Sequence, residues 1–538
     1  MNDEGPARTS DGGRGRLLRA AMSMATITLL SRVLGLVREQ VRAFYLGTGG
    51  ASDAFGVAFM LPNLLRRLVG EGAMSAAFVP VFNDMLEKEG EERTWLFANR
   101  FLTLLGMLLA VISTLGVLGS AVLVALVAPG FTAHHPETRE LAISLAAIMF
   151  PYIALVSLAA VIQGMLNSYR IFWVSAFTSV LLNLAVIGTA LVLAPRMEQA
   201  AYALAIGVMI GGGLQLFFQI PFLYRLGFRW RPRLSFGPGV RRVLWLMLPG
   251  VFGAGIYQIN VLVSQALAST LPEGSISSLQ YSTRLLELTL GVFAISVSTV
   301  ILPTLSRQAA REQWSEMTDT MGFAVRMVVF ICLPSMCGLY LLRTPVVRLL
   351  FQYGEFDEVS LQMTTWALTF HLTGLVFIAL SRIYVQAFYS RMDTRTPVYI
   401  AAGAMVVNIV ACLTLRGPLA NGGIALANSL AAAFQVVLLV ALLRSQLAGI
   451  WSAGTWVAIG KSILAAGGMS AAVIGLVRLG ALEQARSIPL QIAWLSAAIG
   501  IGVLVYGGLS WALRSRELGE VAGMFARRLS RGRSSGRS

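Results

Sequence analysis

Charge is scarce in this sequence. Asp, Glu, Lys and Arg together make up 13% of 538 residues, against 56% hydrophobic residues, and mean hydropathy is +0.72. Soluble domains carry nearer a quarter charged residues, so an ordinary soluble fold is excluded. No stretch is long and polar enough to form a separate soluble domain, which argues against an enzyme with an extramembrane catalytic domain. Cysteine is equally rare: Cys332, Cys337 and Cys412 all sit in apolar runs, read as small packing residues and imply no disulfide framework. His134, His135 and His371 show no metal-ligand spacing, so neither a metal site nor histidine catalysis is expected. Acids are the rarer charge, 26 against 42 basic residues, for a net charge of +16. In a soluble chain that excess would suggest nucleic acid. Here the basic residues concentrate in loops and tails, where they read as topogenic charge and as contacts to anionic phospholipid, with no nucleic-acid partner.

What is plentiful is apolar helix. Runs fall at 20–46, 52–82, 96–128, 138–167, 174–194, 200–224, 240–270, 276–303, 317–342, 360–389, 397–415, 422–444, 456–478 and 489–513. Since about 20 residues cross the hydrocarbon core, the chain reads as an all-α integral membrane protein of about 14 transmembrane helices. The even number puts both termini on one side. Residues 1–19, with Arg8, Arg14, Arg16 and Arg19 among Gly, Ser and Asp, read as a disordered basic tail. The run after them is too long for a signal-peptide core. Basic residues recur on alternate loops: Arg225, Arg229, Arg231, Arg233, Arg241 and Arg242 after the sixth run, Arg307 and Arg311 after the eighth, Arg391 and Arg395 after the tenth, and Arg514, Arg516 and more beyond the last. The positive-inside rule therefore places both termini in the cytoplasm, with Arg343 and Arg348 running against it.

The chain also repeats. Leu64-Leu65 with Gly70, Pro80, Asn183, Ala203-Leu204-Ala205 and Gln215 recur as Leu285-Leu286 with Gly291, Pro303, Asn408, Ala425-Leu426-Ala427 and Gln435, at offsets of 220–225 residues. Six helices per unit give two lobes inserted in the same orientation, a parallel repeat that usually places the substrate in a central cavity near the midplane. The expected organisation is an N-lobe at 20–226, a C-lobe at 227–446, two additional helices at 447–514 and a basic cytoplasmic tail at 515–538.

Several charges stand where lipid forbids them. Arg32 lies about 18 Å into the first run, close to mid-bilayer, and Arg38 follows it. The second run has Asp53 near its outer end, then Asn63, Arg66, Arg67 and Glu71, and the eighth has Arg284 and Glu287. A charge facing lipid at this depth costs about 2.5–3.5 kcal/mol, so these groups face water, one another or a ligand. Internal pairing is one reading: Arg67 with Glu71, Arg284 with Glu287, and Arg38 with Asp53. It leaves Arg32 and Arg66 without a local acid. An excess of buried arginine makes a positive site, and guanidinium forks suit phosphate oxygens. Asn63, three residues before Arg66, is placed to add a neutral donor. Gly35, Pro62, Gly70 and Gly72 beside these charges permit bending.

The motifs holding these residues resemble a known family. Leu30-Ser31-Arg32-Val33-Leu34-Gly35, Ala51-Ser52-Asp53-Ala54-Phe55, and Leu61-Pro62-Asn63-Leu64-Leu65-Arg66-Arg67 with Glu71-Gly72-Ala73 and Ala77-Phe78-Val79-Pro80 are similar to the signature of the MurJ (MviN) lipid II flippases. Arg284-Leu285, Ile301-Leu302-Pro303, Leu350-Phe351-Gln352-Tyr353-Gly354 and Ala387-Phe388-Tyr389 ahead of Asp393-Thr394-Arg395-Thr396-Pro397 agree in order. The resemblance implies the MOP exporter fold, with two six-helix lobes around a central cavity and two C-terminal helices forming a lipid-facing groove. It implies a bacterial cytoplasmic-membrane flippase for lipid II, with cell-wall synthesis machinery as a candidate partner and no bond chemistry. It assigns the essential arginines to Arg32, Arg38, Arg66 and Arg284, with Ser31, Asp53 and Asn63 beside them and Arg67, Glu71 and Glu287 in support. No cofactor is implied. Some members bind sodium through carboxylates on the seventh and eleventh helices; here stand Gln258, Asn260, Asn408 and Cys412, which argues against sodium coupling and leaves the membrane potential as an energy source. Thr283 stands where some relatives have an acid. The rival readings are a flippase for another polyprenyl-linked glycan, a multidrug exporter of the same superfamily, which would need an acidic cavity, and a membrane glycosyltransferase. The last would rest on Asp84, Glu87, Glu89, Glu91 and Glu92, which read more simply as a solvated loop shared with Lys88 and Arg93.

Overall fold

The computed structural model describes residues 11–66, 74–447, 451–478 and 487–523. Among them the chain is helical with no strand, as lipid requires of a segment whose backbone groups must pair internally. The chain divides into two compact units, up to Ile259 and from Asn260. The first contains α1 (Asp11–Leu46), α2 (Gly50–Leu65), α3 (Met74–Lys88), α4 (Glu91–Leu118), α5 (Ser120–Val127), α6 (Pro129–His134), α7 (Pro136–Met149), α8 (Tyr152–Ser168), α9 (Phe172–Leu193), α10 (Ala200–Arg225) and most of α11 (Pro238–Ala268). The second holds α12 (Ser275–Ala310), α13 (Trp314–Leu341), α14 (Arg343–Phe351), α15 (Glu358–Thr373), α16 (Leu375–Ser390), α17 (Arg395–Leu419), α18 (Asn421–Gln446), α19 (Ala453–Arg478) and α20 (Ile488–Ala512).

Each of the fourteen apolar runs carries helix, but several are broken. Among the described residues nine helices are long and apolar enough to cross a membrane, or ten if α15 and α16, bent by 43°, count as one span. Of the run at 52–82, the described residues hold α2 and α3, of 16 and 15 residues, and residues 67–73 lie outside them. The run at 96–128 breaks at Gly119 between α4 and α5, whereas α7 and α8, interrupted by a turn at Phe150-Pro151, together make one of the nine spans, Pro136–Ser168. Helix α1 begins at Asp11, so residues 11–19, expected as tail, extend the first helix. Once a helix exists, each added residue gains a hydrogen bond for one more fixed backbone unit. At the other end residues 516–523, also expected as tail, are helical. There Arg326 Nε of α13 lies 3.3 Å from Glu517 Oε1, and Ser515 Oγ donates to Glu517 Oε2 at 2.7 Å.

The unit boundary inside α11 differs from the boundary at 226/227 expected from hydropathy, and the intervening segment explains the difference. Residues 227–237 are non-helical and lie along α4. Phe228 packs edge-on to Trp95 with ring centroids 5.6 Å apart. Asn99 Nδ2 donates to the Arg229 carbonyl at 3.0 Å, the Arg231 N–H donates to Asn99 Oδ1 at 2.7 Å, and the Arg233 N–H donates to Thr103 Oγ1 at 3.2 Å. Docked in this way, the segment and the start of α11 belong to the first unit.

In the second unit, α19 and α20 pack against α13 through a core that includes Phe330, Ala465, Met469, Val473, Leu495 and Ala498. The Tyr506 hydroxyl donates to the Phe330 carbonyl at 2.7 Å. A buried hydroxyl finds its partner there rather than remaining unsatisfied in apolar surroundings.

Candidate substrate-binding site

Between Ser31 and Arg66 stand four arginines and two acids. Helix α1 presents Arg32, Arg38, Glu39 and Arg42, with Arg38 and Arg42 one turn apart. The Arg38 guanidinium is 2.7 Å from Glu39 Oε1, and its other nitrogen donates to Asn183 Oδ1 of α9 at 3.2 Å. Asn183 Nδ2 in turn donates to the Ser31 carbonyl at 3.1 Å, so one buried amide ties both the backbone and the charge of α1 to α9. Arg42 lies 3.6 Å from Glu39 Oε2 and donates to the Ser52 carbonyl at 2.9 Å and to Ser52 Oγ at 3.3 Å. Its guanidinium also sits 5.3 Å from the Phe55 ring centroid, a cation–π contact. Glu39 thus serves two guanidiniums, and the Arg38–Asp53 pair expected from sequence gives way to Arg38 with Glu39 and Asn183. Asp53 is buried in the first turn of α2, where the helix dipole favours a carboxylate.

On α2, Arg66 Nε donates to Asn63 Oδ1 at 3.1 Å, and Asn63 Nδ2 donates to the Phe59 carbonyl at 2.8 Å. Asn63 was expected to donate beside Arg66. Here its amide nitrogen is engaged and its oxygen orients the guanidinium instead. Arg67 and Glu71, with Gly70 and Gly72, lie outside the described residues. Arg284, in the second unit, makes the expected pair with Glu287, 3.0 Å apart, and both side chains are substantially exposed. Arg32 is half-buried and makes no hydrogen bond or ion pair among the described residues. Ser31 beside it lines a small polar cavity of about 190 Å³ with Thr28, Gln163, Asn167 and Ser175. The first unit therefore brings Ser31, Arg32, Arg38, Asp53, Asn63 and Arg66 onto two successive helices with cations in excess.

Three contributors were missed in the sequence: Glu39, Arg42 and Asn183. Spacing held a signal for the first two, since Glu39 and Arg42 are i,i+3 and Arg38 and Arg42 are i,i+4. Asn183 had only its place in the repeat. Its repeat partner does matching work. Asn408 Nδ2 of α17 donates to Asn260 Oδ1 at 2.8 Å and to Ser264 Oγ at 2.9 Å on α11. Cys412 Sγ–H points to Asn408 Oδ1 at 3.8 Å. Both amide oxygens are engaged and, among the described residues, no carboxylate joins them, so this cluster offers no charge to offset the desolvation of a cation. Among the described residues no group of three His, Cys, Asp or Glu side chains could hold a metal ion.

The acidic loop is an ion-pair cluster. Lys88 Nζ stands 2.6 Å from Asp84 Oδ1 and Arg242 Nη1 2.7 Å from Oδ2. These two hydrogen-bonded cations, Lys88 first, hold the Asp84 carboxyl below its usual range. A general acid would need the opposite shift.

The sequence model of the lipid II flippase MurJ family matches residues 42–484. The chain belongs to the MurJ family. The probable lipid II flippase MurJ of Vibrio cholerae is 37% identical over 498 residues, 91% of this chain and 95% of that protein. The lipid II flippase MurJ of Burkholderia cenocepacia is 33% identical over 510 residues, 92% of this chain and 97% of the relative. Among solved structures, a lipid II flippase MurJ in an inward closed conformation aligns with a TM-score of 0.75 at 26% identity, covering 90% of this chain and 97% of that one. An inward-facing multidrug resistance MATE family transporter of the MOP superfamily aligns with a TM-score of 0.63 at 16% identity, over 79% of this chain and 98% of that one; this likeness is one of fold. The MurJ family match begins at residue 42, past Arg32 and Arg38, so the site on α1 rests on its own geometry.

Proposed function

We propose that this chain moves lipid II from the inner to the outer leaflet of the bacterial cytoplasmic membrane by alternating access, with both termini in the cytoplasm. The observation that carries the reading is the cation excess on α1 and α2 of a MurJ-family chain, with Arg32 unpaired among the described residues and Arg38 and Arg66 oriented by asparagines. A pyrophosphate bears the charge and the oxygens that such a set of forks would neutralise. The head group binds while the site is open to the cytoplasm, and the polyprenyl tail stays in lipid. The site then opens outward and the head group leaves. No bond is made or broken. The neutral cluster at Asn408 supports transport without sodium, with the membrane potential acting on the site's charges at about 2.3 kcal/mol per charge per 100 mV.

A multidrug exporter of cations would suit an acidic site, and the arginines oppose it. A flippase for another polyprenyl-linked glycan shares the electrostatics and is separated by family membership. Arg66→Ala and Arg284→Ala should each abolish lipid II translocation in a depletion strain while the protein still inserts. Undiminished export in either would remove that arginine from the site. Binding of purified protein to lipid II against a pyrophosphate-linked glycan of different sugar composition tests the substrate.

A further inference from the structure

The segment joining α10 to α11 has a use that flipping does not require. It reads Arg229-Trp230-Arg231-Pro232-Arg233-Leu234-Ser235-Phe236, basic and largely apolar residues in alternation. The N–H groups of Arg231 and Arg233 both reach α4, at Asn99 and Thr103. An i, i+2 pattern is that of an extended chain, in which neighbouring side chains project to opposite faces. Pro232 between them has no N–H to leave unsatisfied. The strap therefore has a fixed backbone, and Asn99 and Thr103 are buried beneath it.

Its side chains are left outward. Arg229 is engaged, donating to the Tyr224 and Phe228 carbonyls at 2.8 and 2.9 Å. The side chains of Arg231 and Arg233 are exposed, and neither guanidinium makes a hydrogen bond or ion pair among the described residues. Asp84, an acid near the start of α11, is already held by Lys88 and Arg242. Trp230, Leu234 and Phe236 are 47%, 67% and 68% exposed. In water this would be an unfavourable surface for an ordered segment. Depth gives it a setting. Thr103 lies about 18 Å along α4 from Glu91, and the exposed apolar face of α4 begins one turn later, at Met107 and Leu108. The strap thus runs where the helix passes from polar to hydrocarbon surroundings, on the side where the basic loops lie. Apolar and aromatic anchors alternating with unpaired cations at that level suit a lipid headgroup layer carrying negative charge.

We propose that the α10–α11 strap is a binding site for anionic phospholipid of the inner leaflet, with Arg231 and Arg233 on the headgroup and Trp230, Leu234 and Phe236 seated at the acyl boundary. Full-length protein in detergent is offered phosphatidylglycerol or phosphatidylcholine of the same chains, and retained lipid is counted by native mass spectrometry. Relative to the unaltered protein, R231Q/R233Q should lose phosphatidylglycerol about thirtyfold, the scale of two basic side chains at an anionic surface. Phosphatidylcholine should be unchanged and R231K/R233K should retain binding. A nitroxide placed at position 234 in proteoliposomes containing phosphatidylglycerol should be quenched more by oxygen than by a water-soluble nickel chelate. That reading stands even where the glutamine variant folds poorly. Equal phosphatidylglycerol retention by R231Q/R233Q and the unaltered protein would overturn the proposal, as would a nitroxide quenched mainly from water. A loss confined to lipid II, with phosphatidylglycerol unaffected, would also overturn it by assigning the strap to the substrate head group.

Discussion

Two joints, one in each unit, are built alike and charged differently. In the first unit Asn183 of α9 reaches α1, bonding Arg38 and the Ser31 carbonyl, with Glu39 and Arg42 alongside. In the second, Asn408 of α17 reaches α11, bonding Asn260 and Ser264. At the repeat offset, Arg38 corresponds to Asn260, Glu39 to Val261 and Arg42 to Ser264. A buried asparagine thus links two helices in each copy, with ionic partners in the first and neutral partners in the second. Since each intramembrane charge is costly, a neutral joint shows that packing alone does not require the arginines. Their presence in the first copy points to a ligand.

Breaking each joint sharpens that contrast. The largest effect should come from Glu39→Gln, which leaves Arg38 and Arg42 without their shared carboxylate. Loss of one partner of a buried pair costs about 3–5 kcal/mol, to be read as a lowered melting temperature in detergent, whereas Val261→Ala should cost about 1 kcal/mol. A Glu39→Gln protein as stable as Val261→Ala would mean the acid is dispensable to the fold. Next, Arg38→Gln should lower lipid II translocation roughly ten- to a hundredfold, the scale of a lost charge-assisted hydrogen bond of about 1.5–3 kcal/mol. Asn260→Ala should change translocation far less, and equal losses would erase the asymmetry. Third, Asn183→Leu should destabilise by about 2–3 kcal/mol and Asn408→Leu by about 1–2 kcal/mol, because the first loses one charged and one neutral bond and the second only neutral ones; thermal unfolding of the pair ranks them. The smallest effect belongs to Asp84→Asn. Asp84 has a depressed pKa, held down by hydrogen bonds to Lys88 and Arg242, so its stabilisation is present above the ordinary carboxylate range and is lost as pH falls through the lowered value. The melting difference between Asp84→Asn and the unaltered protein should be slight at neutral pH and vanish in acid.

Much of this was legible along the chain. Each of the fourteen apolar runs carries helix among the described residues, though nine or ten helices there are long and apolar enough to cross, and the excess of arginine over acid on the first two helices needed only counting. Pairings within one turn were accessible too: Arg284 with Glu287 at i,i+3 lies where spacing put it. Pairings between elements were not. Asp53 is fifteen positions from Arg38, and sequence contained no reason to prefer a residue of α9, Asn183, over it. The strap shows the same boundary. Its arginines were read as loop charge; only the structure shows that the backbone is held at Asn99 and Thr103 while the guanidiniums of Arg231 and Arg233 make no bond among the described residues.

Sequence by itself determined that this chain lives in a membrane, that it is helical, that it repeats and that its first helices carry surplus guanidinium. These follow from hydropathy, period and charge, which are properties of residues and their near neighbours. Tertiary structure alone decided which group each arginine holds, that Asn63 orients Arg66 instead of facing a ligand beside it, and that one repeat's joint is ionic and the other's neutral. Those outcomes depend on which helix faces pack together, and a hydrogen bond only a few ångströms long between residues 145 positions apart exists only once they do.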